Sequence, residues 1–533
     1  MIGTQTALRL LAGIVALPGH VAATARTATP QLGWNSYNYY SCLPNETIIQ
    51  ENAQGLVDLG FAEKGYDVVT TDCGWPSSNR TADGKITWNS TLFPSGFPAL
   101  GEYIHGLGLQ FGLYSGAGKW QCTPDPDHIF LVASLEYNPY EPDPSVRFAE
   151  MAQALDAVER PIVYQICQWG VGEDLGVWAP KLGNSWRISN DIYNSWSSIW
   201  RITNQVVPFW KHTGVGKYAD MDMLIVGLNA LSLEEERFHF TMWAINKSPL
   251  IIGAPMSTTL TPQASLDILA NEEVLAINQD ALGQQARLVQ RYTEEEYDVW
   301  AGNLTDGRLV VAVANWRNDS RTVSLNLSSP ALGVAAASAV RDVWAASDLG
   351  AADGGDGEAL LQLDLAGHEA KLLVLSDVTS TNTSLADAHY YPVTGAAVAG
   401  GNASILACGG GECLPVGSKA VDVYPGSTVT FSNVSAPSSG FLAIDYINYD
   451  VALQSSWSNG TNTRNVTLSV NGAAAKRWAL PISGGDWFET GRLVVEVGEG
   501  FVEGDGNVVV LGAPGPDPAP DVVGLAVLEE RSA

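Results

Sequence analysis

The chain has 533 residues, too many for one core and enough for roughly three or four domains. Its 46% hydrophobic and 16% charged residues exclude an intrinsically disordered chain. A formal net charge of −29 excludes nucleic acid and anionic membrane surfaces as partners, because both are held through Lys/Arg clusters.

The seven His residues are scattered without metal-ligand spacing, so neither a metal nor another cofactor is expected. Residues 1–25 read as a signal peptide. Arg9 precedes a short apolar run, Leu10–Leu17, which stops at Pro18-Gly19, and Ala23-Thr24-Ala25 offers a cleavage site. No later stretch is long enough to span a bilayer. About a dozen Asn-x-Ser/Thr sequons support export, among them Asn79, Asn246, Asn318, Asn402 and Asn433. A secreted, glycosylated protein is the expectation, and its six Cys residues should then tend to pair.

From residue 26 to about 285 strand-like and helix-like stretches alternate. Strands are predicted at Gly33–Ser36, Tyr66–Asp72, Leu109–Tyr114, 161–166, 185–190, Asp222–Val226 and Pro249–Gly253. Helices are predicted at Glu46–Lys64, Leu100–Leu107, Arg147–Val158, Ser195–Thr213 and Ser232–Asn246. Near-continuous apolar strands separated by helices imply a parallel sheet covered on both faces. Seven strands are legible where a (β/α)8 barrel needs eight, and the gap lies between Tyr114 and Pro161. Cys42 and Cys73 each follow a strand-like run, which places them at one rim.

After Gly283 the period changes. Val299–Leu304, Arg308–Asn315 and Thr322–Leu327 read as strands, the first two joined at Thr305-Asp306-Gly307, and an antiparallel β-sandwich is expected over 286–378. Residues 379–387 read as a linker. The region 388–533 is again strands and turns, a separate sandwich or jelly roll. Cys408 and Cys413 are close enough to close a local loop.

Polar residues at the C-terminal ends of barrel strands read as catalytic. Those ends collect Trp34, Asp72, Tyr114, Cys167, Trp169, Arg187, Asp191 and Asp222. Aromatic rings and carboxylates around one Arg suit a sugar, whose C–H face packs on rings while charged groups fix its hydroxyls. The plainer alternatives are a surface ion pair for Arg187 and Asp191, and core packing for the tryptophans. The latter fits Trp200 and Trp243, which lie inside helices, better than Trp34 and Trp169.

The motifs Gly33-Trp34-Asn35-Ser36, Asp72-Cys73-Gly74-Trp75, Gly112-Leu113-Tyr114-Ser115, Cys167-Gln168-Trp169-Gly170, Ser185-Trp186-Arg187 with Asp191-Ile192, and Asp222-Met223-Leu224 resemble the secreted fungal α-galactosidases of glycoside hydrolase family 27. The resemblance covers residues 30–378. It implies retaining hydrolysis of terminal α-galactosides from oligosaccharides, galactomannans or galactolipids. Asp191 would be the general acid/base, and Trp34, Asp72, Tyr114, Cys167, Trp169, Arg187 and Asp222 would line the galactose subsite. Cys42 and Cys73 match a family disulfide. Through Ser469-Val470-Asn471-Gly472 and Asp486-Trp487, the C-terminal region is similar to carbohydrate-binding β-domains.

Three departures stand out. Thr71 occupies the place of a second hydroxyl-binding carboxylate, and Gln168 the place of a Glu. The family's fourth strand, ending in Lys-Tyr-Asp-Asn-Cys and carrying the nucleophile and a partner for Cys122, has no counterpart. Three readings follow: an α-galactosidase whose written chain lacks a segment, a catalytically inactive secreted galactoside-binding protein, or an enzyme recruiting Asp125, Asp127, Glu136 or Asp143. On the first reading, Thr123–Pro144 should run as an irregular loop across the gap.

Overall fold

The structure is a computed structural model that describes residues 27–116, 144–158, 160–170, 174–354, 358–381, 383–436, 440–452, 460–498 and 500–532. The expected leader and Cys122 lie outside these residues, as does the expected loop up to Asp143. Pro144 already opens a helix, Pro144–Asp156.

Among the described residues, the first 280 contribute seven short parallel strands: β1 (Leu32–Asn35), β2 (Val68–Thr71), β3 (Gln110–Leu113), β4 (Gln165–Cys167), β5 (Ser185–Arg187), β6 (Tyr218–Asp220) and β7 (Leu250–Ile252). They form two curved sheets, β3-β2-β1-β7 and β4-β5-β6, which meet through the single parallel bridge Leu224–Ile252. On the other side β3 and β4 are not paired, and among the described residues no strand lies between them. Among the described residues the barrel is open there, on the side where the sequence reading finds its gap.

Helices cover the outside at 46–58, 96–106, 144–156, 175–182, 196–206, 233–245, 263–269 and 272–278. Helix 233–245 starts where Ser232 and Glu235 form a capping box, each satisfying a backbone N–H that the first turn would otherwise leave orphaned. Trp34, Trp186 and Trp243 are fully buried between sheet and helices. A buried ring of this kind removes about 150–250 Å² from water, which at ~25 cal/mol per Å² is roughly 4–6 kcal/mol each.

The strand expected over Asp222–Val226 lies earlier, at β6. Asp222 has φ +82 and turns its N–H to Asp220 Oδ1 at 2.8 Å, which ends the extended run. The apolar residues Leu224–Val226 are buried all the same, Leu224 making only an isolated bridge to Ile252 before the chain turns at Val226. Their hydrophobicity reports depth, not extension.

Residues 287–380 form a seven-stranded antiparallel sheet packed on the two-stranded pair Arg321–Asn326 and Leu360–Leu365, around a core that includes Val299, Val311, Val313 and Leu373. The expected turn at Thr305-Asp306-Gly307 is present, with φ +59 and +67 at its last two residues. From Thr383 onward two sheets, of six and five strands, enclose a third core. The linker expected at 379–387 is not loose. Thr379–Ser380 pairs with Val334–Asp342, and Thr383–Pro392 pairs with Asp521–Ser532. Cys42–Cys73 and Cys408–Cys413 are disulfide-bonded.

The three units are tied by one buried side chain. Arg291 grips Asp298 in its own sheet through two bonds of 2.9 and 2.7 Å. Its Nη1 donates to Asn204 Oδ1 on helix 196–206 at 2.7 Å and to the carbonyl of Ala479 at 3.1 Å.

Candidate active site

The ends of β4, β5 and β6 converge on Arg187. Its Nη2 donates to Asp191 Oδ1 at 3.0 Å and lies 2.7 Å from Asp222 Oδ2, while Nη1 points at Cys167 Sγ at 3.8 Å. The sequence had offered a surface ion pair as the plain reading of Arg187 and Asp191. The geometry is a buried guanidinium shared between two carboxylates and a thiol.

The two carboxylates differ in exposure. Asp222 is 5% exposed, and its oxygens also accept the backbone N–H groups of Ile192 and Met223, both at 2.6 Å. Burial pushes its pKa up to about 7, with Asp191 and Asp220 adding to the rise against the pull of Arg187. Asp191 is 38% exposed and able to meet a ligand. Burial raises Cys167 to about 12, so it is a neutral thiol, and it is free of any disulfide.

Asp72, at the end of β2, accepts from Asn35 Nδ2 and from the N–H of Cys73, both at 2.8 Å, and its own N–H reaches Ser36 Oγ at 3.0 Å. Burial raises its pKa, and it feels both Asp191 and Arg187, which places it on the same side of the barrel. Tyr114 continues β3, its N–H on the Thr71 carbonyl at 3.0 Å, and is half-buried. Trp169 is also half-buried, at φ +72.

Trp34 differs from expectation. Its ring is fully buried and its Nε1 donates to the Ala254 carbonyl at 2.9 Å, so it backs the floor of the site and presents no face to a sugar.

Several polar atoms at these strand ends are buried with no hydrogen-bond partner among the described residues: Thr71 Oγ1, Gln168 Oε1, Trp169 Nε1 and Arg187 Nε. Such orphans are costly unless a ligand meets them. A polyol, with donors and acceptors on every carbon, would do so.

Sequence reading missed Arg201. It is 1% exposed, with Nη1 donating to Asn190 Oδ1 at 2.6 Å and Nη2 to the Asp191 carbonyl at 2.9 Å. Burial lowers its pKa to about 10. Its signal was that it is the only charge in helix Trp196–Val206.

Residues 29–280 match the family model described as alpha galactosidase A, and 294–375 match the alpha galactosidase C-terminal beta sandwich domain. The "Probable alpha-galactosidase D" of Aspergillus fumigatus is 39% identical, the match covering 94% of this chain and 96% of that one. "Alpha-galactosidase D" of Emericella nidulans is 35% identical over 94% and 95%. Among solved structures, alpha-galactosidase I from Mortierella vinacea superposes with a TM-score of 0.61 at 28% identity, covering 68% of this chain and all of that one. The alpha-galactosidase of Saccharomyces cerevisiae gives 0.59 at 25% identity, covering 65% and 97%.

The chain belongs to the α-galactosidases of glycoside hydrolase family 27. The aligned span with the Aspergillus fumigatus relative is 625 residues, longer than the 533 of the chain itself. That relative therefore carries stretches that have no counterpart here.

Proposed function

We propose that the site is built to remove a terminal α-galactosyl residue with retention, and that the chain as written lacks the segment carrying the nucleophile. The observation that carries this reading is a solvent-reachable Asp191 held 3.0 Å from a buried Arg187 at the strand ends. The names of the relatives support an α-galactoside as substrate.

In this reading Asp72, Tyr114, Cys167, Trp169, Arg187 and Asp222 line the galactose subsite, with Trp34 behind it. Asp191 protonates the glycosidic oxygen as a carboxylate on the opposite face attacks the anomeric carbon and the aglycone departs. The resulting carboxylate of Asp191 then takes a proton from the water that releases galactose. Retention places the two carboxyl groups about 5–5.5 Å apart. The absent fourth strand would both close the (β/α)8 barrel and supply the second carboxyl. The third reading, with Asp125, Asp127, Glu136 or Asp143 as nucleophile, falls on residues outside those described. Secretion, removal of residues 1–25 and N-glycosylation complete the proposal.

The test is release of a chromogenic phenol from its α-galactoside by the purified chain, as written and with an inserted segment ending in Lys-Tyr-Asp-Asn-Cys. The expected outcome is no turnover without the segment and turnover with it. Robust hydrolysis by the chain as written would refute the missing nucleophile. Galactose binding without turnover in both forms would identify a sugar-binding protein.

A further inference from the structure

The two stretches that resemble carbohydrate-binding domains serve internal structure. Asn471 Nδ2 donates to the Gly500 carbonyl at 2.9 Å and to Asn507 Oδ1 at 2.8 Å, while its Oδ1 accepts from Val508 N–H at 2.8 Å. Asp486 Oδ1 accepts two backbone N–H groups at 2.7 Å. The Arg464 guanidinium lies 4.8 Å from the Trp487 ring centroid, so a cation already covers one face of that ring.

What this unit does contact is the barrel, behind the active site. Helix 196–206 is buried over most of its circumference, polar residues included. On its inner side Arg201 holds Asn190 and Asp191. On its outer side Asn462, 2% exposed, donates through Nδ2 to the Arg201 carbonyl and to Gln205 Oε1, both at 2.9 Å, while its Oδ1 accepts from Ala452 N–H at 2.7 Å. Nearby, Tyr449 Oη donates to the Gly170 carbonyl at 2.9 Å. Gly170 follows the Cys167-Gln168-Trp169 turn and is wedged between the Ile188 carbonyl and Gln205, which a Cβ would meet at 2.0 and 2.7 Å.

We infer that the C-terminal β-unit is part of the active-site scaffold, with Asn462 and Tyr449 acting as positioning residues for the Asn190–Ile192 loop and the Gln168–Gly170 turn. Neither residue touches substrate. Each fixes a segment that does, Asn462 through the helix that carries Arg201 and Tyr449 through the carbonyl of Gly170. The inference rests on the proposed galactose subsite, but its first readout is independent of it.

The experiment compares the full chain with Tyr449→Phe and Asn462→Asp by hydrogen exchange, followed by calorimetric titration with D-galactose. The expected result is at least tenfold faster exchange in peptides covering 165–170 and 188–206, no change in peptides covering β2 and β7, a melting temperature unchanged in Tyr449→Phe and lowered in Asn462→Asp, and galactose affinity weakened about tenfold. Unaltered exchange in the two named segments overturns the inference. So does acceleration spread evenly over the C-terminal unit with a lowered melting temperature, which marks a structural role only. If the parent chain binds no galactose, the subsite reading fails, and the exchange data alone decide the positioning role. In the segment-restored enzyme, Tyr449→Phe should lower kcat/KM about tenfold; an unchanged kcat/KM overturns it.

Discussion

Asp191 and Asp222 share one guanidinium but face different surroundings, and the chemistry divides accordingly. On the proposed reading, the exposed carboxyl exchanges protons with a substrate and the buried one orients Arg187. In the segment-restored enzyme, Asp191→Asn should lower turnover by about 10²–10⁴-fold while galactose still binds, as phenol release and titration would report. Near-normal turnover removes Asp191 from the mechanism. Burial lifts Asp222 from an ordinary 3.8 to about 7, and Asp72 and Asp220 move the same way. A raised folded pKa means the native state holds protons the unfolded chain has released. The associated stability is complete below about pH 4 and lost as pH rises through about 7. Melting temperature should therefore be higher at pH 5 than at pH 7.5, and Asp222→Asn should flatten that difference; an unchanged profile in the variant assigns the trend to other groups. At this scale the sequence was legible where a polar residue ended a strand, as with Arg187, Asp191 and Asp72. Trp34 misled because a ring at a strand end can turn inward, and Arg201 escaped because a helix interior carries no strand-end signal.

Among the elements, the tightest seam is the turn after β4. Gly170 sits at φ +70, and any side chain there would run into the Ile188 carbonyl. Gly170→Ala should cost at least about 1–3 kcal/mol from the backbone conformation alone, read as a lowered midpoint in urea unfolding. A midpoint within error of the parent would mean that the turn relaxes freely. Six of the seven strands were legible as elements, because β-branched and apolar runs bounded by turns mark buried parallel strands. Boundaries were less so. Hydrophobic Leu224–Val226 mimicked a strand, and polar 379–387 mimicked a linker although its backbone pairs with both neighbours, since backbone hydrogen bonds leave little trace in composition. The predicted gap between Tyr114 and Pro161 falls largely on residues outside those described.

On the scale of the molecule, the sequence marked three units but not the seams between them, because a contact 188 or 261 residues apart in the chain obeys no local period. Ending the chain after Asp377 would strip partners from the Arg201 and Gly170 carbonyls, from Asn204 and from Arg291. The expected product is insoluble or has lost galactose binding, and a monodisperse truncated protein with an unchanged melting temperature would show the seam to be dispensable. Burial also sorts the sequons. Asn246 is fully buried with its Nδ2 on the Met242 carbonyl, whereas Asn79, Asn318, Asn402 and Asn433 are exposed. Glycopeptide mass spectrometry of secreted material should find sugar among the latter and none on Asn246; a glycan on Asn246 contradicts this packing. The Arg291 tie sets an order of manufacture. Helix 196–206 and Arg291 leave the ribosome early, but the carbonyl that completes Arg291 belongs to Ala479, 188 residues later. At about 5–20 residues per second, that is a wait of roughly ten to forty seconds. The domain made first waits for a carbonyl made late, and a nascent chain stalled before Ala479 emerges would present chaperones with an enzyme whose catalytic half is still unsealed.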